Sequence, residues 1–173
     1  SYMERSEKYP QLVNGMWVRQ IAADDIEFWV VPGYHDKRFM QYTSSCLFKD
    51  EDVQVMLDIL LPEEDAPLLL VSHGPPQGKG KHALDYIIDG ENVGNKALAK
   101  LVKGQKIPFG IYGHILESGG RGVKINQASP VKEGKATTTL HVNAGATSAF
   151  PWGMHNHRAS YGMAMLVTIQ KGK

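Results

Sequence analysis

Two histidines, each at the end of an apolar run, are the residues of this chain best placed to do chemistry. His73 follows the run LLLVS at residues 68–72, and His114 follows FGIYG at residues 109–113. Open α/β sheets bind ligands at the carboxyl ends of their strands, so two such histidines can converge on one point. Imidazole is the commonest metal-ligand side chain. The pair predicts a metal site; the alternative is that each ring only hydrogen-bonds to its own loop.

The elements expected to position these histidines alternate between strands and helices. Apolar periodicity predicts strands at residues 16–21, 26–31, 67–72, 107–112, 122–126, 137–143 and 161–169, and helices at 50–61 and 93–102. A turn at Ala23-Asp24-Asp25 is expected to join the first two strands as a hairpin. The polar stretch 73–92 is a long loop, of a kind that is usually functional or mobile. This order predicts an α/β domain with helices on at least one face and an antiparallel part at its end.

Composition excludes several classes of protein. The chain has 173 residues and a net charge of +1, which predicts one domain over residues 1–173 without a basic stripe for nucleic acid. Its single cysteine, Cys46, cannot form an internal disulfide framework. The apolar runs are strand-sized, so no membrane span is expected, and the charged start is no signal peptide. A cytoplasmic protein is the expectation.

Taken in order, the motifs resemble those of the calcineurin-like metallophosphoesterases, in the C-terminal half of that family's fold. The resemblance spans about residues 26–169 and rests on three segments: SHGPP at 72–76, GHI at 113–115 and NAGA at 143–146. It implies an α/β fold of the β-sandwich metallophosphoesterase type with flanking helices, partial or shortened. It also implies hydrolysis of a phosphomonoester or phosphodiester, in a small molecule or a nucleotide, by water activated on two divalent ions such as Mn, Fe or Zn. By position, His73 and His114 would ligate one of these ions.

The chain also departs from the family's pattern. Leu116 stands where the resemblance places a second ligand histidine, and neither an Asp-x-His nor a Gly-Asp-x-x-Asp block occurs. These departures favour an alternative function, a catalytically inactive phosphoesterase-like module for binding or assembly. Its interface would use apolar residues near the site, such as Tyr112, Ile115 or Trp152. A third hypothesis is an unrelated α/β domain whose histidines only satisfy their loops.

Three further residues are candidates for the same site. The segment PGYHD at 32–36 either matches the family's Gly-Asn-His-Asp block, with Tyr34 replacing the asparagine, or is a later strand-end loop. The second interpretation is favoured because residues 17–31 resemble the hairpin that follows that block. Under both, His35 is a catalytic candidate and Asp36 a substrate-binding one, while a simple turn capped by Asp36 is the alternative. Arg121, in a glycine-rich turn, is a further candidate for binding phosphate.

Overall fold

The chain folds around a mixed sheet whose central strands are parallel. The computed structural model describes residues 8–9, 11–39, 46–60, 62, 66–126 and 128–170. The strands of this sheet are β1 (Gln20–Ala23), β2 (Ile26–Val31), β3 (Leu68–Ser72), β4 (Phe109–Tyr112), β5 (Arg121–Val123), β6 (Pro130–Val131) and β7 (Leu140–Asn143). Their spatial order is β1-β2-β3-β4-β7-β5-β6. The remaining elements are α1 (Asp50–Ile59), α2 (Lys96–Gly104), the 3-10 turns Lys37–Phe39 and Leu116–Ser118, and a small ribbon of β8 (Trp152–Gly153) and β9 (Ala159–Ser160).

Strand direction decides where the loops of this sheet meet. The strands β2, β3, β4 and β7 run parallel to one another, whereas β1, β5 and β6 pair antiparallel with their neighbours. The carboxyl ends of the four parallel strands therefore lie along one edge of the sheet. The α/β class with an antiparallel part is confirmed, and the metallophosphoesterase type stays a prediction.

Both helices pack on the same face of the sheet. Val53 of α1 and Leu101 of α2 lie in one buried core with Trp29 and Leu70 of the central strands. The amino ends of the two helices are tied together by Asn95, whose Oδ1 accepts from Leu98 N at 2.7 Å and whose Nδ2 donates to Asp50 Oδ1 at 2.9 Å. An asparagine in this capping position stabilises a helix by about 1 kcal/mol. No helix in the described ranges is both long and apolar enough to span a bilayer.

A histidine is buried inside the sheet, away from the strand ends. His141 of β7 is fully buried, and its Nδ1 lies 2.9 Å from the Tyr112 hydroxyl. Its Nε2 lies 3.2 Å from the carbonyl oxygen of Ile107. A carbonyl only accepts, so Nε2 carries the proton and Nδ1 accepts from the tyrosine. Burial lowers the pKa of His141 to about 4, so this ring is neutral at pH 7.

Several predicted elements are wrong in extent, and the strands expected at residues 122–126 and 137–143 are the shorter β5 and β7. Of the strand expected at residues 16–21, only the last two residues belong to β1, and Trp17 lies in a turn with 80% of its surface exposed. The helix expected at 93–102 begins at Lys96, because Asn95 caps it. Residues 161–169 pair with no strand among the described residues. The hairpin turn at residues 23–25 is confirmed by the antiparallel pairing of β1 with β2.

Candidate functional site

The two strand-end histidines meet at the carboxyl edge of the sheet. His73 follows β3 directly, His114 follows β4 by two residues, and β3 and β4 are parallel neighbours. The His73 Nε2 and His114 Nδ1 atoms lie 2.8 Å apart, and the ring centroids are 4.7 Å apart. The convergence expected from the two strand ends is therefore observed. Their role as metal ligands stays a prediction.

The backbone around the pair is held in a tight and unusual conformation. Gly113 N donates to the carbonyl oxygen of His73 at 3.0 Å, which locks the two loops together. His114 adopts a φ of +64°, in the left-handed region that residues with a side chain rarely occupy. Such conformations persist only where the surroundings impose them, and they concentrate at functional sites. The His114 ring is thus positioned by the fold rather than by its own preference.

Partial burial favours the neutral form of both rings of the pair. Burial lowers the pKa of His73. Burial first, and then the neighbouring His73 and His35, lower the pKa of His114 to about 4. A neutral imidazole carries one N–H, so one of the two facing nitrogens donates and the other accepts. The pair therefore holds one proton between its facing nitrogens.

Tyr34 covers one side of this pair. Its ring centroid lies 3.9 Å from that of His114, its side chain is 4% exposed, and its hydroxyl donates to the carbonyl oxygen of Val93 at 3.2 Å. Gly74 makes room for it, since a Cβ at that position would overlap the tyrosine ring. Burial raises the pKa of the Tyr34 hydroxyl, which keeps it protonated. The sequence singled out Tyr34 only as a replacement for asparagine and did not predict this stacking.

The structure brings His35 to the same cluster and gives Asp36 a local partner. The His35 ring centroid is 4.5 Å from that of Tyr34, its Nδ1 is buried with no hydrogen-bond partner, and burial lowers its pKa. Asp36 accepts hydrogen bonds from the Arg38 guanidinium at 2.7 Å and from the Arg38 backbone N at 2.9 Å. The arginine lowers the pKa of this carboxyl. His35 thus has a ring nitrogen without a hydrogen-bond partner. Asp36 instead caps a local turn, which is the alternative that the sequence analysis gave for it.

Arg121 lies at the same edge of the sheet but faces another loop. It begins β5, opposite Asn143 at the end of β7, and its Nη1 donates to the carbonyl oxygen of Lys81 at 2.9 Å. Burial lowers the pKa of this guanidinium. No recorded contact joins Arg121 to the histidine pair within the described part of the chain. Its proposed role at a phosphate stays a prediction.

The long loop between β3 and α2 is fixed by a carboxylate that the sequence did not reveal. Asp85 is fully buried and accepts from Asn92 Nδ2 at 2.8 Å and from Gly94 N at 2.9 Å. The hydroxyl of Ser118 donates to the carbonyl oxygen of Tyr86 at 3.0 Å. A polar loop with many glycines carries no pattern from which a buried aspartate could be predicted. These buried hydrogen bonds hold the loop in place.

The expected apolar interface near the site is wrong for two of its three residues. Tyr112 and Ile115 are only 2% and 3% exposed, because both point into the protein interior. Tyr112 is occupied by its bond to His141. Trp152 is 47% exposed and lies on the separate β8–β9 ribbon.

The donor set fits one divalent ion in part, and it does not fit a bridged pair of ions. Two imidazoles on one tetrahedral ion such as zinc place their ligating nitrogens about 3.3 Å apart, so the 2.8 Å contact need open by only about half an ångström. Within the described ranges, no group of three or more His, Cys, Asp or Glu side chains is arranged to hold a metal. A two-ion centre requires bridging carboxylates, and among the described residues none belongs to a metal-holding group with this pair.

The comparisons with known proteins establish the fold and no more. No family model and no curated protein matches the chain. A solved crystal structure is similar to it, with a TM-score of 0.57 and 14% sequence identity over 95% of this chain. The match covers 59% of that structure's own chain. Fold and site together define an α/β domain with a neutral histidine pair at the carboxyl edge of a mixed sheet.

Proposed function

We propose that the chain is a metallophosphoesterase-like hydrolase domain that binds a divalent ion through His73 and His114. The observation that supports this most strongly is the 2.8 Å contact between His73 Nε2 and His114 Nδ1, at the ends of adjacent parallel strands. Neutral imidazoles are the form that ligates a metal, and desolvation lowers the pKa of both rings, which favours that form.

The proposed roles of the other residues follow from their positions. A bound divalent ion supplies a water of lowered pKa and polarises a phosphoryl oxygen. The resemblance makes His35 the catalytic candidate, and its ring lies beside Tyr34 at a centroid distance of 4.5 Å, so it is the group proposed to contact a phosphate ester or exchange a proton with it. Asp36 and Arg121 are proposed at the rim, where Arg121 would have to leave Lys81 to reach a phosphate. The substrate class is a phosphomonoester or phosphodiester, in a small molecule or nucleotide.

A second candidate function is a phosphoesterase-like binding or assembly module without catalysis. Leu116 contributes no ligand, and the Tyr34 ring stacks on His114 where an oxygen donor would otherwise face an ion. Among the described residues, only the two imidazoles of the pair then remain as ligands for an ion. Two ligands predict weak metal binding and no turnover. Turnover of substrate distinguishes the two functions.

Calorimetric titration with Mn²⁺ and Zn²⁺ tests the metal site. We expect one ion per chain, and we expect His73→Ala and His114→Ala each to lower the affinity by about 100-fold or more, because each removes one of two protein ligands. The matched control is His82→Ala, since His82 is an exposed histidine of the long loop. Equal affinity in the wild type and both site variants would refute the assignment.

Hydrolysis of an aryl phosphate with added Mn²⁺ then tests the activity. The hydrolase proposal expects turnover that His114→Ala removes and His82→Ala retains. Metal binding without turnover at any pH between about 5 and about 9, a range that spans the common optima of acid–base catalysis, would instead establish the binding module.

A further inference from the structure

His114 stands at the centre of a strained three-residue turn. Ile115 N donates to the carbonyl oxygen of Gly113 at 2.7 Å, and the φ of His114 between them is +64°. A turn closed by such a hydrogen bond across a residue of positive φ is a γ-turn of the rare and strained kind. Strain of this sort persists only where surrounding contacts impose it. Another part of the fold must therefore hold the turn that carries the His114 ring.

The side chain of Asn143 holds this turn from the end of β7. Asn143 is fully buried, and its Nδ2 donates to the carbonyl oxygens of Gly113 at 3.3 Å and Ile115 at 2.8 Å. Its Oδ1 accepts from Gly145 N at 2.9 Å. An amide nitrogen carries two protons, so Asn143 spends both of them on the two carbonyls that flank His114. Carbonyls only accept and an N–H only donates, so these three partners also fix the orientation of the amide.

We propose that Asn143 is a positioning residue, which holds the ring of His114 against that of His73 and so prepares the pair to bind a divalent ion. The second part of this proposal rests on the proposed function. In the described part of the chain, the side-chain hydrogen bonds of Asn143 all end on backbone atoms, so it acts through the turn and not on an ion. Groups that orient metal ligands in this indirect way typically contribute about 10- to 100-fold to metal affinity.

Asn143→Asp removes this support while it preserves the shape of the side chain. An aspartate can still accept from Gly145 N, but an ionised carboxylate has no proton to donate. One of its oxygens would then face the carbonyl oxygens of Gly113 and Ile115, and buried acceptors without a donor are costly. The turn at His114 is therefore expected to relax in this variant.

The nitrogen-15 chemical shifts of the histidine rings in metal-free protein test the positioning role. In the wild type, His73 and His114 are expected to give the signals of a hydrogen-bonded pair. In Asn143→Asp these signals are expected to move toward those of an exposed histidine such as His82. The signals of His141, on the same strand as Asn143, are expected to stay unchanged, whereas a general loosening of β7 would move them as well.

Calorimetric titration with Zn²⁺ tests the consequence for metal binding. Asn143→Asp is expected to weaken the affinity by about 10- to 100-fold without changing the number of ions bound. The matched control is Asn95→Asp, because Asn95 is also buried but its side chain bonds at the amino ends of the helices. This control is expected to be less stable than the wild type and to keep the wild-type affinity and ring signals.

Unchanged signals of His73 and His114 in folded Asn143→Asp, or an equal loss of affinity in Asn95→Asp, would overturn the proposal. Should Asn143→Asp not fold, solvent exchange of the Asn143 side-chain amide protons in the wild type decides the question. Slow exchange is expected, because both protons are buried and bonded, and exchange as fast as that of the exposed Asn156 would contradict the role. A wild type that binds no metal would refute the proposed function, while the ring signals would still decide the positioning role.

Discussion

Acidification from pH 6.5 to about 4 is expected to lower the free energy of unfolding by on the order of 3 kcal/mol through His141. Burial holds the pKa of this ring at about 4 in the folded protein, against 6.5 for an ordinary histidine. Between these values the unfolded chain binds more protons than the folded chain, so the stabilisation is complete above pH 6.5 and is lost as the pH falls. His114 adds an effect of the same sign, which solvent reduces because its ring is partly exposed.

Denaturant unfolding at several pH values measures this dependence. Between pH 6.5 and pH 4, the free energy of unfolding is expected to fall less in His141→Gln than in the wild type, because the variant lacks the ring whose protonation causes the loss. The variant is nevertheless expected to be less stable than the wild type at every pH. His82→Gln removes an exposed histidine and is expected to retain the wild-type dependence. An unchanged pH dependence in His141→Gln would show that this ring is not the responsible group.

Gly74→Ala is expected to destabilise the protein by about 2–3 kcal/mol, because a Cβ at that position overlaps the ring of Tyr34. The ring cannot move aside freely, since it is buried, stacked on His114 and hydrogen-bonded to Val93. The same substitution should weaken metal binding, because displacement of Tyr34 disturbs His114.

A double-mutant cycle separates this overlap from a general effect on the loop. Tyr34→Ala removes the ring that the new methyl group meets, so Gly74→Ala should cost at least about 1 kcal/mol less in that background. Gly104→Ala is the control, since a Cβ at Gly104 meets no atom within 4 Å. Additive effects of Gly74→Ala and Tyr34→Ala would rule out the overlap as the cause.

The strands that carry the site could be predicted from sequence because their short, continuous apolar runs indicate buried β-strands. A continuous run such as residues 68–72 is typical of a strand covered on both faces, and it ends at His73. The convergence of His73 with His114 followed from the rule that parallel strands share one carboxyl edge. The side chains around the pair did not follow, because the stacking of Tyr34 depends on contacts with Gly74 and Val93 from another part of the chain.

The sequence-based predictions were least accurate for residues whose pairing or burial depends on contacts with distant parts of the chain. Residues 161–169 alternate as a strand does, yet pattern alone does not supply a partner. The sequence predicts Tyr112 and Ile115 at a surface because both neighbour His114, but alternation and the turn after β4 direct both side chains inward. Asp85 was missed because its burial depends on Asn92 and Gly94, which fold back onto it.

The position of β7 between β4 and β5 sets the order in which the sheet can assemble during synthesis. The ribosome releases β5 and β6 before β7, yet β5 joins the sheet only through β7. Until Leu140–Asn143 emerges, the open side of β4 exposes the row of N–H and C=O groups beside Phe109–Tyr112. His114 reaches its final surroundings only after that closure, because Asn143 donates to the carbonyl oxygens of Gly113 and Ile115 at 3.3 and 2.8 Å. A nascent chain stalled before residue 140 would therefore expose the unpaired edge of β4, which could pair with another strand, and its histidine pair would not yet be formed.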